Sequence, residues 1–170
     1  MGKKTGYRTK KKSNKYIIKN NFILGFTEKG EEFYFDLEDF DKIKNFYWHV
    51  ENEYVIRRIR VKKTKRKRIN MHHLVFKESV LMLDHINGNK SDNRKSNLRP
   101  CNKSQNAMNS RLPKNNTSGY KGVNKHQGKF TARIKANGIN YYLGIFDDIK
   151  EAVNARKQAE QKYFGEFAPK

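Results

Sequence analysis

The chain is short of cysteine, of acids and of long apolar runs, and each shortage narrows what it can be. A single cysteine, Cys101, excludes an internal disulfide and a four-cysteine zinc site. No apolar run approaches the ~20 residues of a membrane helix, and no apolar leader opens the sequence, so it predicts neither a membrane span nor secretion. The expected compartment is the cytoplasm. Acids number 17 against 38 Lys and Arg, a formal net charge of +21. So large a cationic excess points to a polyanion, because phosphate neutralisation releases counterions and gives strong, salt-dependent affinity. In 170 residues there is room for one ordinary domain or two or three small ones.

The charge is also segregated. Residues 1–27 contain no acid, and Lys3, Lys4, Arg8, Lys10, Lys11, Lys12 and Lys15 make a cationic arm. Seven of the 17 acids fall in residues 28–41, whereas nine of the twelve residues in 57–68 are basic. Short strands are predicted at residues 16–18, 22–26 and 32–35, then a short helix to residue 44 opened by Asp36 as N-cap with Asp39 three residues on. A strand over 46–50 buries the only tryptophan, Trp48. Residues 54–61 and 68–72 read as a hairpin across 63–65, whose arginines, Arg57, Arg58 and Arg60 among them, are expected on DNA phosphates. His72 and His73 read as adjacent strand residues with no carboxylate beside them. They are expected to pack or hydrogen-bond in support of a site rather than to ligate, with a phosphate contact open to either.

Asp84-His85 places a carboxylate beside an imidazole. A polar run follows, then Asn97-Leu98 and an Asn-rich segment with Asn106. Phosphodiester cleavage needs an activated water, a proton acceptor and a cation on the developing charge. Imidazole, with an unperturbed pKa near ~6.5, accepts protons at neutral pH. Oxygen donors such as Asp84 and an Asn side chain suit Mg²⁺. An isolated surface Asp-His pair is the bland alternative, and the downstream order argues against it. Adjacent strand residues face opposite ways, so both can serve one centre only if the strand ends or twists there, and Gly88 supplies a break. An apolar strand over 80–83 delivers the pair. Residues 97–101 return as its partner, with Pro100 at an edge, and Asn102 caps a helix over 103–110. Arg94, Arg99 and Lys103 are the nearest cations for a scissile phosphate.

This order over residues 70–110 resembles the HNH endonuclease motif, two antiparallel strands and a helix around one divalent metal (ββα-metal). The resemblance implies His85 as general base, Asp84 as metal ligand, Asn97 as the asparagine bracing the loop and Asn106 as the ligand on the helix. It implies Mg²⁺, with Mn²⁺ able to substitute, and double-stranded DNA as substrate. The order of an acidic helix, the Trp48 strand and a basic hairpin before it is similar to the N-terminal part of many phage HNH proteins. The paired Cys-x-x-Cys staples of some members are missing, so neighbouring elements must hold the small catalytic unit.

Residues 112–117 read as a polar connector. Beyond it, a strand is predicted at 118–123. In residues 129–136 Phe130, Ala132, Ile134 and Ala136 alternate with Lys129, Thr131, Arg133 and Lys135. Asn137-Gly138 is a strong hairpin turn, residues 140–146 the third strand, and Asp148 with Glu151 the opening of a helix. Ala152, Ala155, Ala159 and Tyr163 form a narrow stripe able to lie close on a sheet. The runs Ser118-Gly119-Tyr120-Lys121-Gly122-Val123, Tyr142-Leu143-Gly144-Ile145-Phe146 and Phe164-Gly165-Glu166-Phe167-Ala168 resemble the APETALA/ERF-type DNA-binding domain. In that family the sheet enters the DNA major groove. The resemblance implies contacts from Lys121, Asn124, His126, Arg133, Lys135, Asn140 and Tyr142. Asn124 and Asn140 replace arginines of the plant pattern, so the plant target does not carry over.

The sequence therefore predicts an α+β protein: a β-rich N-terminal unit (residues 1–69), an HNH core (70–111), a linker (112–117) and a three-stranded antiparallel sheet on one helix (118–170). The implied activity is that of a site-specific homing endonuclease, leaving 5′-phosphate and 3′-hydroxyl ends. It is expected to act as a monomer, with a dimer open. A DNA-binding regulator with a decayed centre is the alternative, and an RNA-binding protein fits the charge but not the motif.

Overall fold

Three antiparallel strands begin the computed structural model, which describes residues 13–76, 82–110 and 112–169. The cationic arm at Lys3, Lys4, Arg8, Lys10, Lys11 and Lys12, and Val80 and Leu81 of the predicted strand, lie outside the described residues. The fold is α+β and divides into two compact units, Met1–Lys77 with Lys90–Lys95, and Glu78–Asn89 with Ser96–Lys170.

In the first unit β1 (Lys15–Ile18), β2 (Phe22–Phe26) and β3 (Glu32–Asp36) form a meander in the order β1-β2-β3. Phe33 and Phe35 alternate inward and are fully buried. Gly25 pairs with Phe33, whose ring atoms come within 2.3 Å of where a Cβ would stand. A side chain at position 25 would evict that ring. A 3-10 turn (Leu37–Asp39) leads into α1 (Phe40–Ile43). Asp36 does not cap this helix as predicted. Its carboxylate accepts the Lys95 backbone N–H instead, at 2.8 Å.

Trp48 is buried, donating through Nε1 to the Ile43 carbonyl at 3.1 Å. Asn14 clamps its backbone, accepting from the N–H at 2.7 Å and donating to the carbonyl at 2.9 Å. These bonds take Trp48 out of the predicted strand, and β4 covers only His49–Glu51. It joins β5 (Tyr54–Arg60) and β6 (Arg66–Asn70) in a second antiparallel sheet. α2 (Met71–Val75) follows, so His72 and His73 lie on a helix and not on the predicted strand. Residues 90–95 fold with this unit. Tyr34 of edge strand β3 donates to the Ser91 carbonyl at 2.9 Å and accepts from the Asn93 N–H at 2.8 Å. Lys95 meets the buried Asp39 carboxylate at 2.7 Å.

The second unit starts with a two-stranded ladder of β7 (Leu83–His85) and β8 (Leu98–Pro100), then α3 (Lys103–Met108). Asn102 and Gln105 form a reciprocal capping box at the start of α3. β9 (Val123–His126), β10 (Lys129–Ala136) and β11 (Ile139–Phe146) make a sheet in the order β11-β10-β9, packed on α4 (Ile149–Phe164). The strand predicted at 118–123 starts only at Val123. Gly119 and Gly122 have φ of +80° and +73°, which break an extended run. Ser118 Oγ ties this loop to the Val123 carbonyl at 2.6 Å. Met108 of α3 shares one core with Ile134, Ala136, Ala159, Phe164, Phe167 and Ala168. The helix of the hairpin and the C-terminal sheet are thus built on the same apolar cluster.

Candidate active site and nucleic-acid interface

The ladder pairs Asp84 with Arg99 and His85 with Leu98. Paired residues on an antiparallel ladder share a face and neighbours alternate, so Asp84 and Arg99 project together and His85 leaves from the other side. Arg99 Nε and Nη2 both donate to Asp84 Oδ2, at 3.0 and 2.7 Å. Both ends of this ion pair are buried, with 11 % of the Arg99 and 7 % of the Asp84 side chain exposed. His85 is buried as well. The strand ends there: Gly88, at φ +70°, donates to the His85 carbonyl at 2.8 Å and turns the chain.

Asn97 spans that turn. Its carbonyl accepts the Ile86 N–H at 2.9 Å and its Oδ1 accepts the Asn87 N–H at 3.0 Å. Asn106 is exposed on α3. The asparagine that reaches Asp84 is Asn109, three residues beyond the position that the motif order implies. Its Nδ2 donates to Asp84 Oδ1 and Oδ2, both at 3.1 Å, and lies 2.9 and 3.3 Å from the His85 and Ile86 carbonyl oxygens. Spacing could have found it, since positions three apart share a helix face. Cys101 follows β8, and burial, then the Asp84 charge, push its thiol above the usual range.

Among the described residues no three His, Cys, Asp or Glu side chains gather as a metal site. What gathers is one carboxylate and two backbone carbonyls around a single amide nitrogen. Such a set is all hard oxygen, the donor type that magnesium and calcium take. An asparagine amide presents either N–H or oxygen to the same place, so Asn109 suits a carboxylate or a cation there.

The residues predicted to meet DNA divide in two. Asn124, His126, Arg133, Lys135, Asn140 and Tyr142 are all exposed. Arg133 pairs with Tyr142 and Lys135 with Asn140 across the β10–β11 ladder, so these four share the outer face. A bulge at Leu143 re-aligns β11 beyond them. Lys121 is the exception. Its ammonium donates to the Met108 and Ser110 carbonyls at 3.0 and 2.9 Å and to Ser110 Oγ at 2.8 Å. It closes the C-terminal end of α3, where lone carbonyls attract cations. Burial, then the Arg156 charge, hold its pKa below the usual lysine value.

Arg156, unremarked in the sequence, lies buried in the apolar stripe of α4. It donates to the Arg133 carbonyl at 2.5 Å and to Glu160 at 2.8 Å. Gly122 passes so close that a Cβ there would stand 2.3 Å from Arg156 Nη1 and 2.4 Å from the Arg133 oxygen.

Three arginines of the hairpin also have partners within the fold. Arg57 stacks on Phe46 at 3.4 Å, and burial lowers its pKa. Arg58 pairs with Glu51 at 2.7 Å, and Arg60 donates to the Lys63 carbonyl at 2.7 Å. Arg99, expected on DNA, is held by Asp84. Arg58 and Arg60 nonetheless remain exposed, as are Lys62, Lys63, Lys65, Arg66 and Lys67.

Residues 78–108 match the family model of the HNH endonuclease. The match takes in Asp84, His85, Asn97 and Asn106 and stops one residue short of Asn109. No curated protein and no solved structure matches the chain. Among the described residues no helix is long and apolar enough to cross a membrane.

Proposed function

We propose that this protein is a site-specific, metal-dependent DNA endonuclease of the homing type, cutting at the Asp84-His85 hairpin and reading double-stranded DNA with the outer face of the β9–β11 sheet. One cluster carries the reading: the Asp84 carboxylate and the His85 and Ile86 carbonyls all stand within 3.3 Å of Asn109 Nδ2. It sits at the hairpin that matches the HNH endonuclease model.

HNH nucleases generally use a divalent metal ion, and the donor set fits one. Asp84 and an asparagine on or just after α3 would hold Mg²⁺ or Mn²⁺: Asn109, which caps the helix, already reaches Asp84, and Asn106 lies three residues earlier. When bound, such an ion would supply charge neutralisation for phosphodiester cleavage. His85 takes the proton of the attacking water, and Asn97 fixes the turn that holds His85 in place. The products are 5′-phosphate and 3′-hydroxyl ends. One chain carries one such centre, so a monomer nicks.

Labelled duplex incubated with Mg²⁺ or with chelator tests this directly. Cleavage is expected only with the ion. His85→Ala is expected to lose ~10²–10⁴ in rate while binding duplex as wild type does. Wild-type protein that binds duplex but never cuts it under either condition would leave a DNA-binding regulator as the better reading.

A further inference from the structure

Arg99 uses every edge of its guanidinium. Nε and Nη2 face Asp84 Oδ2, and Nη1 donates to the Glu166 carbonyl. The guanidinium carbon lies 4.1 Å from the centre of the Phe167 ring. Glu166 and Phe167 belong to the 3-10 turn Gly165–Phe167 that ends α4, 67 residues further along the chain than Arg99. That turn also packs on α3, through Phe167 and Met108 in one core. Asn109 meets the carboxylate from elsewhere, so three elements fix one side chain.

The division of donors is uneven. Asp84 Oδ2 receives two N–H groups from Arg99 and shares Asn109, whereas among the described residues Oδ1 receives only Asn109. A carboxylate so held is fixed in orientation, and Oδ1, with fewer donors than Oδ2, has more lone-pair capacity left. A guanidinium can do this because its five N–H groups lie in a rigid plane, and its face can stack on an aromatic ring while its edges bond. A lysine ammonium carries the same charge without the plane.

We propose that the C-terminal turn Gly165–Phe167 is a working part of the nuclease centre. Through the Glu166 carbonyl and the Phe167 ring it holds Arg99 as a positioning residue for Asp84, and so sets the affinity of the centre for its divalent ion. This rests on the nuclease reading above. A segment that otherwise only closes the sheet-and-helix fold thereby couples that fold to the chemistry of the hairpin.

The test uses the full chain, Mn²⁺ as probe and three readouts: calorimetric Mn²⁺ binding without DNA, the Mn²⁺ dependence of duplex cleavage, and the melting temperature. Phe167→Leu keeps an apolar side chain but removes the stacking face, and Arg99→Lys keeps the charge but removes the plane. Each is expected to weaken Mn²⁺ binding by about 10–100-fold, the usual effect of losing an outer partner of a metal ligand. Cleavage at saturating Mn²⁺ is expected to recover most of its rate, which a merely unfolded fraction would not do. The double variant is expected to bind no more weakly than the weaker single one, because both changes break one chain of contacts. Phe167→Met serves in the same way if the leucine variant does not fold. Wild-type Mn²⁺ affinity in a folded Phe167 variant, or losses that multiply in the double variant, would overturn the proposal while leaving the nuclease intact. Wild-type protein that neither binds Mn²⁺ nor cuts would remove both.

Discussion

Tyr16 is a phenol in a place that suits a phenyl ring. Its edge meets Phe33, Phe35 and Phe40 with centroids 6.2, 6.1 and 5.4 Å away. Its hydroxyl is buried and, among the described residues, has no hydrogen-bond partner. Burial pushes its pKa up to about 12, from 10.0. Between these values the unfolded chain gives up a proton that the folded one keeps, so stability falls as pH rises through that window. Tyr16→Phe is expected to remove this fall and, at neutral pH, to leave stability unchanged or raise it by about 1 kcal/mol. Urea melts at pH 7 and pH 11 check both.

Asn109 and Asn106 make a second contrast at this scale. Asn109→Ala strips a donor from a buried carboxylate and is expected to cost about 1–3 kcal/mol. Asn106→Ala touches an exposed side chain and is expected to change stability by less than about 0.5 kcal/mol. Titrating cleavage with Mg²⁺ in both variants then tells which asparagine serves the ion.

Two elements offer cations to DNA in different ways. On the outer sheet face Arg133 and Lys135 project together, opposite Tyr142 and Asn140. A strand ribbon of this kind can enter a major groove, where Arg or Lys at guanine edges contributes ~1–3 kcal/mol of discrimination. The tip of the β5–β6 hairpin, with Lys62, Lys63, Lys65 and Lys67 exposed, has no such alternation and suits phosphates, which position without specifying. Arg133→Ala is expected to relax sequence preference and leave the salt dependence nearly as it was. Replacing the four hairpin lysines by Gln is expected to weaken binding to all sequences and to flatten the log-log salt slope by up to roughly 0.9 per lost contact. Affinity for cognate and scrambled duplexes at several salt concentrations separates the two. Selectivity lost with the hairpin and kept without Arg133 would put recognition in the first unit.

For the whole molecule, the connector at residues 112–117 suggests that the sheet could be removed to leave a feeble, unselective nuclease. The contacts argue otherwise. Lys121 closes the end of α3, Phe167 shares a core with Met108, and Arg99 is held from Glu166. Deleting the chain from Ser118 onward exposes that core and frees the buried Asp84–Arg99 pair. The truncated protein is expected to lose cleavage altogether and the melting transition of the second unit with it. A truncated protein that still cuts duplex with Mg²⁺, at any site, would show the hairpin to be self-sufficient.

The alternation in residues 132–136, the Asn137-Gly138 turn and the Asn102 cap are local matters, each settled by residues within a few positions, and the structure has them where the pattern puts them, whereas Thr131, expected on the polar face, is buried. The order Asp84-His85, Asn97 was legible for a similar reason, because the hairpin brings it together over a short span, whereas Asn106 is exposed and Asn109 is the asparagine that reaches Asp84. At Asp36 and Trp48 the pattern failed because groups elsewhere in the chain intervened, whereas the strand predicted at 118–123 was broken locally by Gly119 and Gly122. Asp36 left its capping role for Lys95, and Trp48 left its strand for Asn14 and Ile43. The fate of the cations was decided in the same way. Sequence fixes how many there are, but Lys121, Arg57, Arg99 and Arg156 are drawn inward by carbonyls, rings and a carboxylate supplied by the fold. A charged side chain goes where it is best desolvated and paired, and for Arg99 those partners stand 15 and 67 residues away along the chain.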